Sequence, residues 1–163
     1  MFLFCFATRG MTFVDLAYLR RSDFQGGYIT YTRRKTRQAI TIKVEPVMQV
    51  IIDRYSRKGD YYLFPILTST NAEEAYRQYR LALRDYNSRL RVLSTFLDAD
   101  VSLSSYVSRH TWATLAYHQQ MPVSIISQAM GHDSERTTQI YLKSFDGGVI
   151  DRANRSLLEQ IFT

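Results

Sequence analysis

Apolar positions along this chain recur mostly at helical spacing, and only one stretch alternates with the period of a strand. They crowd the opening MFLFCF and return further on, with Asp15, Leu16 and Leu19 at helical spacing, predicting helical pieces over residues 1–8 and 13–20 around Arg9-Gly10-Met11. Past Asp23 the period drops to two. Tyr28-Ile29-Thr30-Tyr31 and Ala39-Ile40-Thr41-Ile42 are β-rich runs flanking Thr32-Arg33-Arg34-Lys35-Thr36-Arg37, which predicts a hairpin with a charged tip, and Gly26-Gly27 reads as a turn. Pro46 suits the first turn of a helix whose buried stripe is expected at Val47, Val50, Ile51 and Tyr55. Thr70 and Glu73 have capping-box spacing and open a long helix to about Phe96. Further helices are expected over Leu103 to Gln119, from Pro122 to a left-handed cap at Gly131, after Ser134 with Tyr141 aboard, and from Asp151 to Phe162 through Ala153, Leu157, Leu158 and Ile161. The expected fold class is mainly α with a small antiparallel β-sheet, without repeats, low-complexity tracts or an internal boundary.

Composition narrows the picture. At 163 residues and 45% hydrophobic content the chain suffices for one domain with its own core. The dense run Phe2 to Phe6 has no capping residue ahead of it, as if the chain began inside a helix, so an N-terminally truncated fragment of a longer protein is expected. The same opening lacks a basic leader, a full apolar core and a small-residue cleavage site, so it does not read as a signal peptide. Nor does any run approach the ~18 apolar residues of a membrane span. A lone Cys5 cannot form an internal disulfide, which makes a reducing cytoplasm the default. The formal charge of +6, from 21 Lys and Arg against 15 Asp and Glu, favours a polyanionic partner, nucleic acid before membrane. Three histidines and one cysteine occur in no metal-ligand spacing, and a glycine-rich phosphate loop is lacking, so neither metal nor cofactor is expected.

A dispersed set of candidates remains: a basic hairpin containing Lys35, Arg109 beside His110 on one helix, and His132 followed nine residues later by Tyr141. Each has an ordinary reading on its own. Tyr141 is one of twelve tyrosines, most simply half-buried packing; Lys35 shares its loop with Arg33, Arg34 and Arg37; His132 follows a glycine cap; Trp112 is core. His110 lies about 100° around the helix from Arg109 and bonds locally. Their joint order changes the weighing. Ser108-Arg109-His110-Thr111-Trp112-Ala113-Thr114 resembles the LRHxxAT box of tyrosine recombinases, the phage and transposon integrase family. Met130-Gly131-His132 through Thr137-Thr138-x-x-Tyr141 resembles its LGHxxxxTTxxY box, and Arg9-Gly10-Met11-Thr12-Phe13-x-Asp15 is similar to integrases of Bacteroidetes-type mobile elements.

The resemblance covers nearly the whole chain and implies the helical catalytic domain of that family over 1–163, with 146–163 a linker and possible exchange helix. It implies DNA cutting and rejoining through a 3′-phosphotyrosyl link, on double-stranded DNA in a bacterial cytoplasm, with self-assembly into a tetrameric synapse. The physical need is clear. Breaking a phosphodiester without metal or ATP takes a nucleophile, a proton donor for the departing 5′ oxygen, and cations on a pentacoordinate phosphorus. By resemblance Tyr141 attacks, Arg109 forks onto two non-bridging oxygens, His132 donates to the same phosphate, and Lys35 protonates the leaving hydroxyl. The DNA-clamping helices would precede this segment, leaving the fragment itself weak and unselective on DNA.

Two departures stand out. Tyr106 occupies the place where most members carry a histidine, three residues before the box arginine, and Thr12 the place of their first catalytic arginine. A substitute is expected from Arg33, ahead of Arg9, because alternation along the strand would send Arg33 and Lys35 to one face. Arg9, Thr12, Arg34, Arg37 and His110 are expected at the DNA surface. A type IB topoisomerase shares the chemistry, and a non-catalytic basic DNA-binding module is the alternative of another class.

Overall fold

The computed structural model describes residues 1–97 and 102–142. Its elements are α1 (Phe2–Ala7), α2 (Phe13–Ala17), β1 (Phe24–Gln25), β2 (Tyr28–Thr32), β3 (Ala39–Lys43), α3 (Pro46–Tyr55), α4 (Ala72–Ser94), α5 (Val107–His118), α6 (Val123–Met130) and α7 (Glu135–Leu142). The class is the expected one, helices with a three-stranded antiparallel sheet of order β1-β2-β3. Alternation orients that sheet. Ile29 faces Ile42 and Tyr31 faces Ile40 on the buried side, while Thr30 pairs with Thr41 on the exposed side through hydroxyls 3.1 Å apart.

β1 is an element the alternation did not announce, because two residues are too short for a period. Gly26 and Gly27 join it to β2 in a two-residue turn with φ of 56° and 77°, the left-handed pair such hairpins require.

Three helix expectations need correction. On α3 the buried residues are Met48 and Ile52, with Ile51 partly covered, whereas Val47, Val50 and Tyr55 are exposed. Apolar residues lie all around this helix, so its inward face is chosen by docking against α1 and not by its own pattern. The cap of α4 is Asn71, one residue past Thr70: its side-chain oxygen accepts from the Glu73 and Glu74 amides, both at 3.1 Å. The segment after Tyr18 leaves the helix, since the Leu63 amide donates to Leu19 O at 2.8 Å and Arg20 bridges Tyr62. Tertiary pairing there outcompetes one further helical turn. α6 ends as expected, with Gly131 left-handed at φ 62° and ψ 49°. The Asp151–Phe162 helix lies outside the described residues.

Buried side chains form two clusters. Phe4, Leu16, Ile29, Ile42, Leu63 and Phe64 centre the first, which joins α1, α2, the sheet, α3 and the inner face of α4. Ala113, Ala116, Ile126, Met130 and Leu142 centre the second, built by α5, α6 and α7. Contacts of α1 with α5 bring the two together. None of the described helices is long and apolar enough to cross a membrane.

Candidate functional site

The polar candidates gather where elements of the two clusters meet. Arg109 sits in the first turn of α5, almost wholly buried, and both terminal nitrogens of its guanidinium are directed: Nη1 donates to Gly10 O at 2.6 Å, Nη2 to Met130 O at 2.7 Å, and Nη2 lies 2.8 Å from His132 Nε2. An arginine has no acceptor, so the His132 Nε2 lone pair receives that bond. The proton of a neutral ring is then on Nδ1, which donates to Thr138 Oγ1 at 2.7 Å. The electrostatics agree. Burial first, then Arg109, Arg33 and Lys35, bring the His132 pKa from the ordinary 6.5 down to about 4.

Glycines make room for both buried arginines. A side-chain carbon on Gly10, at φ 74°, would stand 2.9 Å from Arg109 Cα and Cγ. One on Gly131 would stand 2.6 Å from Arg33 Cδ and 2.7 Å from Ile40 Cδ1. Contacts this short lie well inside van der Waals separation, so the close approach of each arginine depends on the missing side chain.

The hairpin tip departs from the strand alternation expected for Arg33 and Lys35. β2 stops at Thr32, and residues 33–38 form a turn in which the Arg37 amide bonds Arg33 O and the Arg33 amide bonds Gln38 O. Arg33 is consequently buried and Lys35 exposed. Arg33 Nη1 donates to Gly131 O, and its Nε is 3.6 Å from Asp15 Oδ2. Both residues nevertheless border one cavity of about 110 Å³, together with Thr12 and Tyr106. Thr12 caps α2 and donates to Asp15 Oδ2 at 2.7 Å. Asp15 Oδ1 takes the Arg34 amide at 2.9 Å. A chain of contacts therefore runs from Thr12 through Asp15 and Arg33 to the Gly131 carbonyl; its backbone neighbours Met130 and His132 both bond Arg109, and His132 in turn bonds Thr138.

Other candidates stand outside this set. Arg9, left-handed at φ 59°, enters none of the hydrogen bonds just described. His110 is exposed with its pKa lowered, mainly by desolvation and then by Arg109, and its ring lies 6.1 Å from that of Tyr106. Arg34 covers the Tyr18 ring at 3.8 Å, and Arg37 shares a cleft with it. Tyr141 is carried by α7, three residues past Thr138. Sequence reasoning passed over Asp15, Thr138, Thr36 and Gln38 as site residues; Thr36 Oγ1 bonds Gly131 O at 3.0 Å and Gln38 Nε2 bonds His132 O at 3.1 Å. Asp15 did carry a signal, as the one charged position in the run Met11 to Leu19. Thr138 stood within the box that resembles the integrase family, whereas Thr36 and Gln38, a threonine and a glutamine in a turn, carry no signal. Among the described residues, no group of three or more His, Cys, Asp or Glu gathers as a metal site.

Two directed arginines, an exposed lysine and a neutral histidine from separate parts of the chain can hold an oxyanion and move a proton beside it. Residues 1–147 match the model of the phage integrase family. Of solved structures, XerA recombinase aligns at TM-score 0.64 and 21% identity over 96% of this chain and 55% of its own. XerH site-specific recombinase, bound to a palindromic difH substrate after cleavage, gives 0.66 and 18% over 94% and 43%. The catalytic domain of bacteriophage HP1 integrase gives 0.56 and 19% over 94% and 78%. The chain thus spans about half the length of the first two, and at these identities the likeness is one of fold. No curated protein sequence matches it.

Proposed function

Because the chain belongs to the phage integrase family, we propose that it is the catalytic part of a site-specific recombinase that cuts and rejoins double-stranded DNA through its own tyrosine. The Tyr141 oxygen attacks phosphorus, the bond to the 5′ oxygen breaks, and the DNA 3′ end is left on the tyrosine. A phenol with an ordinary pKa near ~10 attacks only if its proton has a destination. His132 Nε2 supplies one once Arg109 Nη2 turns from its lone pair to the phosphate, since that nitrogen is the unprotonated one in the resting geometry. Once protonated it donates to the phosphate, whose negative charge offsets the cations that hold its pKa down. Lys35, across the same cavity as Arg33, gives its proton to the departing 5′ oxygen. One proton is taken up and one released, so the step balances. Rejoining runs the same transfers backwards, the phosphotyrosine bond having conserved the energy of the phosphodiester.

Arg109 and Arg33 bind the phosphate, Arg33 in place of the arginine that Thr12 replaces. Support comes from its burial, its contact with the Gly131 carbonyl beside His132, and the cavity it shares with Thr12. Asp15 aims it, and Thr138 fixes the histidine tautomer. Assembly of several copies on DNA belongs to the same reading. The single observation that carries the proposal is the Arg109–His132 contact, which joins two sequence boxes 23 residues apart. Incubation with a nicked duplex that cannot religate should trap a covalent protein–DNA adduct, absent from Tyr141→Phe. An adduct that persists in that variant excludes Tyr141. A DNA-binding module without cleavage is the reading favoured by Thr12 and Tyr106, and a wild-type protein giving no adduct would select it.

A further inference from the structure

Beside the hairpin lies a cleft lined by tyrosine and arginine. Two hollows of about 260 and 270 Å³ share Tyr18, Arg20 and Arg34. In the larger, Tyr61 and Tyr76 add aromatic faces that are 49% and 55% exposed. The rings are braced from below: Tyr61 meets Tyr62 edge-on at 5.0 Å, Tyr76 leans on Tyr79 at 6.2 Å, and the Tyr62 hydroxyl donates to Ser69 O at 3.2 Å. The cations are already placed over rings, Arg34 at 3.8 Å from the Tyr18 centroid and Arg20 at 5.6 Å from that of Tyr61. Two carboxylates also line the smaller hollow, Asp15 accepting from the Arg34 amide and Asp23 from the Arg20 amide at 2.8 Å, whereas none lines the larger one.

Such a lining suits a ligand that is flat and aromatic at one end and anionic at the other. A volume near the ~300 Å³ lower end of ligand pockets admits a single such unit. A nucleotide has both features, yet a base inside a duplex has its faces stacked and hidden. Only an unpaired nucleotide presents the base face and the phosphate together. Arg34 directly follows Arg33 in the hairpin turn, so one turn supplies an arginine to the cleft and another to the cavity where the phosphate of the cut strand would lie.

We propose that this cleft holds an unpaired nucleotide of the DNA next to the cleavage position, its base on Tyr61 and Tyr76 and its phosphate on Arg20 and Arg34. The inference rests on the DNA-cleaving function proposed above, and it names the strand state that the surface recognises. Cleavage frees a strand end whose neighbouring base pairs must open before exchange, and a stacking cleft stabilises the opened state.

The test compares binding of the full chain to a labelled eight-nucleotide thymidine strand and to an abasic strand of equal phosphate number, by fluorescence anisotropy. Stacking of one base should make the intact strand bind about 5- to 150-fold more tightly. Tyr61→Leu and Tyr76→Leu should reduce that ratio and Tyr61→Phe should keep it, with circular dichroism melting checking the fold of each. Equal affinities for intact and abasic strands would overturn the proposal and leave a plain polyanion surface. A ratio unchanged in both leucine variants would overturn it too, since the base would then stack elsewhere. The measurement involves no cleavage and is repeated in Tyr141→Phe, so loss of the covalent adduct and loss of base discrimination are separable outcomes.

Discussion

Substituting Gly131 by alanine tests the packing around the buried arginines, and Gly59 provides its internal reference. Both glycines are left-handed, at φ 62° and 91°, so an alanine at either pays the conformational cost of roughly 1 kcal/mol. At Gly59 nothing lies within 4 Å of the new carbon and the cost ends there. At Gly131 that carbon would sit 2.6 Å from Arg33 Cδ and 2.7 Å from Ile40 Cδ1. Neither neighbour can yield cheaply, because Arg33 is tied to Gly131 O and Asp15, and Ile40 is fixed in β3 opposite Tyr31. Overpacking of this kind adds about 1–3 kcal/mol, for a total of about 2–4 kcal/mol. At about 2–4 °C per kcal/mol for a chain of this size, Gly59→Ala should lower the melting temperature by about 2–4 °C and Gly131→Ala by about 4–16 °C in calorimetry. The adduct assay should separate them further, since only Gly131→Ala displaces Arg33. A Gly131→Ala protein that melts no lower than Gly59→Ala would refute the claim that the arginine needs a bare backbone beside it.

Replacing Arg33 by lysine retains its charge opposite Asp15 but removes the fork, and should slow single-turnover cleavage by about 10²–10³, or ~3–4 kcal/mol; alanine would add roughly 3–5 kcal/mol of instability from the broken buried pair. Thr12→Arg in the Arg33→Lys background should restore part of that rate despite losing the α2 cap, and normal cleavage by Arg33→Lys alongside slow cleavage by Arg9→Ala would transfer the role to Arg9. His132 has a folded pKa of about 4 against an ordinary 6.5, so the unfolded chain binds its proton first. Its stabilising contribution, up to about 3 kcal/mol, should be complete above pH 6.5 and fade as pH falls to 4. Urea midpoints across that range, relative to His132→Gln, should show this loss in the wild type, and a difference that grows toward acid would contradict it. On α3, Met48→Ala should cost about 2–5 kcal/mol and Val50→Ala less than about 0.5 kcal/mol; equal costs in urea unfolding would mean that the inward face is misassigned.

Periodicity alone carried the class of this protein, because helices and hairpins are local: the strand alternation of β2 and β3, Pro46 opening α3 and the Gly131 cap all follow from nearest neighbours in sequence. The two boxes around Arg109 and His132 were legible for the same reason, each being a short run of fixed residue types. Which face of α3 turns inward was not, since Met48 and Val50 differ little in hydrophobicity and only the docked neighbour chooses between them. Nor could alternation place Arg33, because it assumes that the strand continues, and a turn held by two backbone hydrogen bonds buries that side chain while leaving Lys35 in solvent. The tautomer of His132 lies furthest from the sequence. It depends on an arginine 23 residues upstream donating to one nitrogen and a threonine six residues downstream accepting from the other, in a burial that neither partner creates by itself. Distances between groups remote in the chain are set by how two hydrophobic clusters meet, and the chemistry of this site lives in those distances.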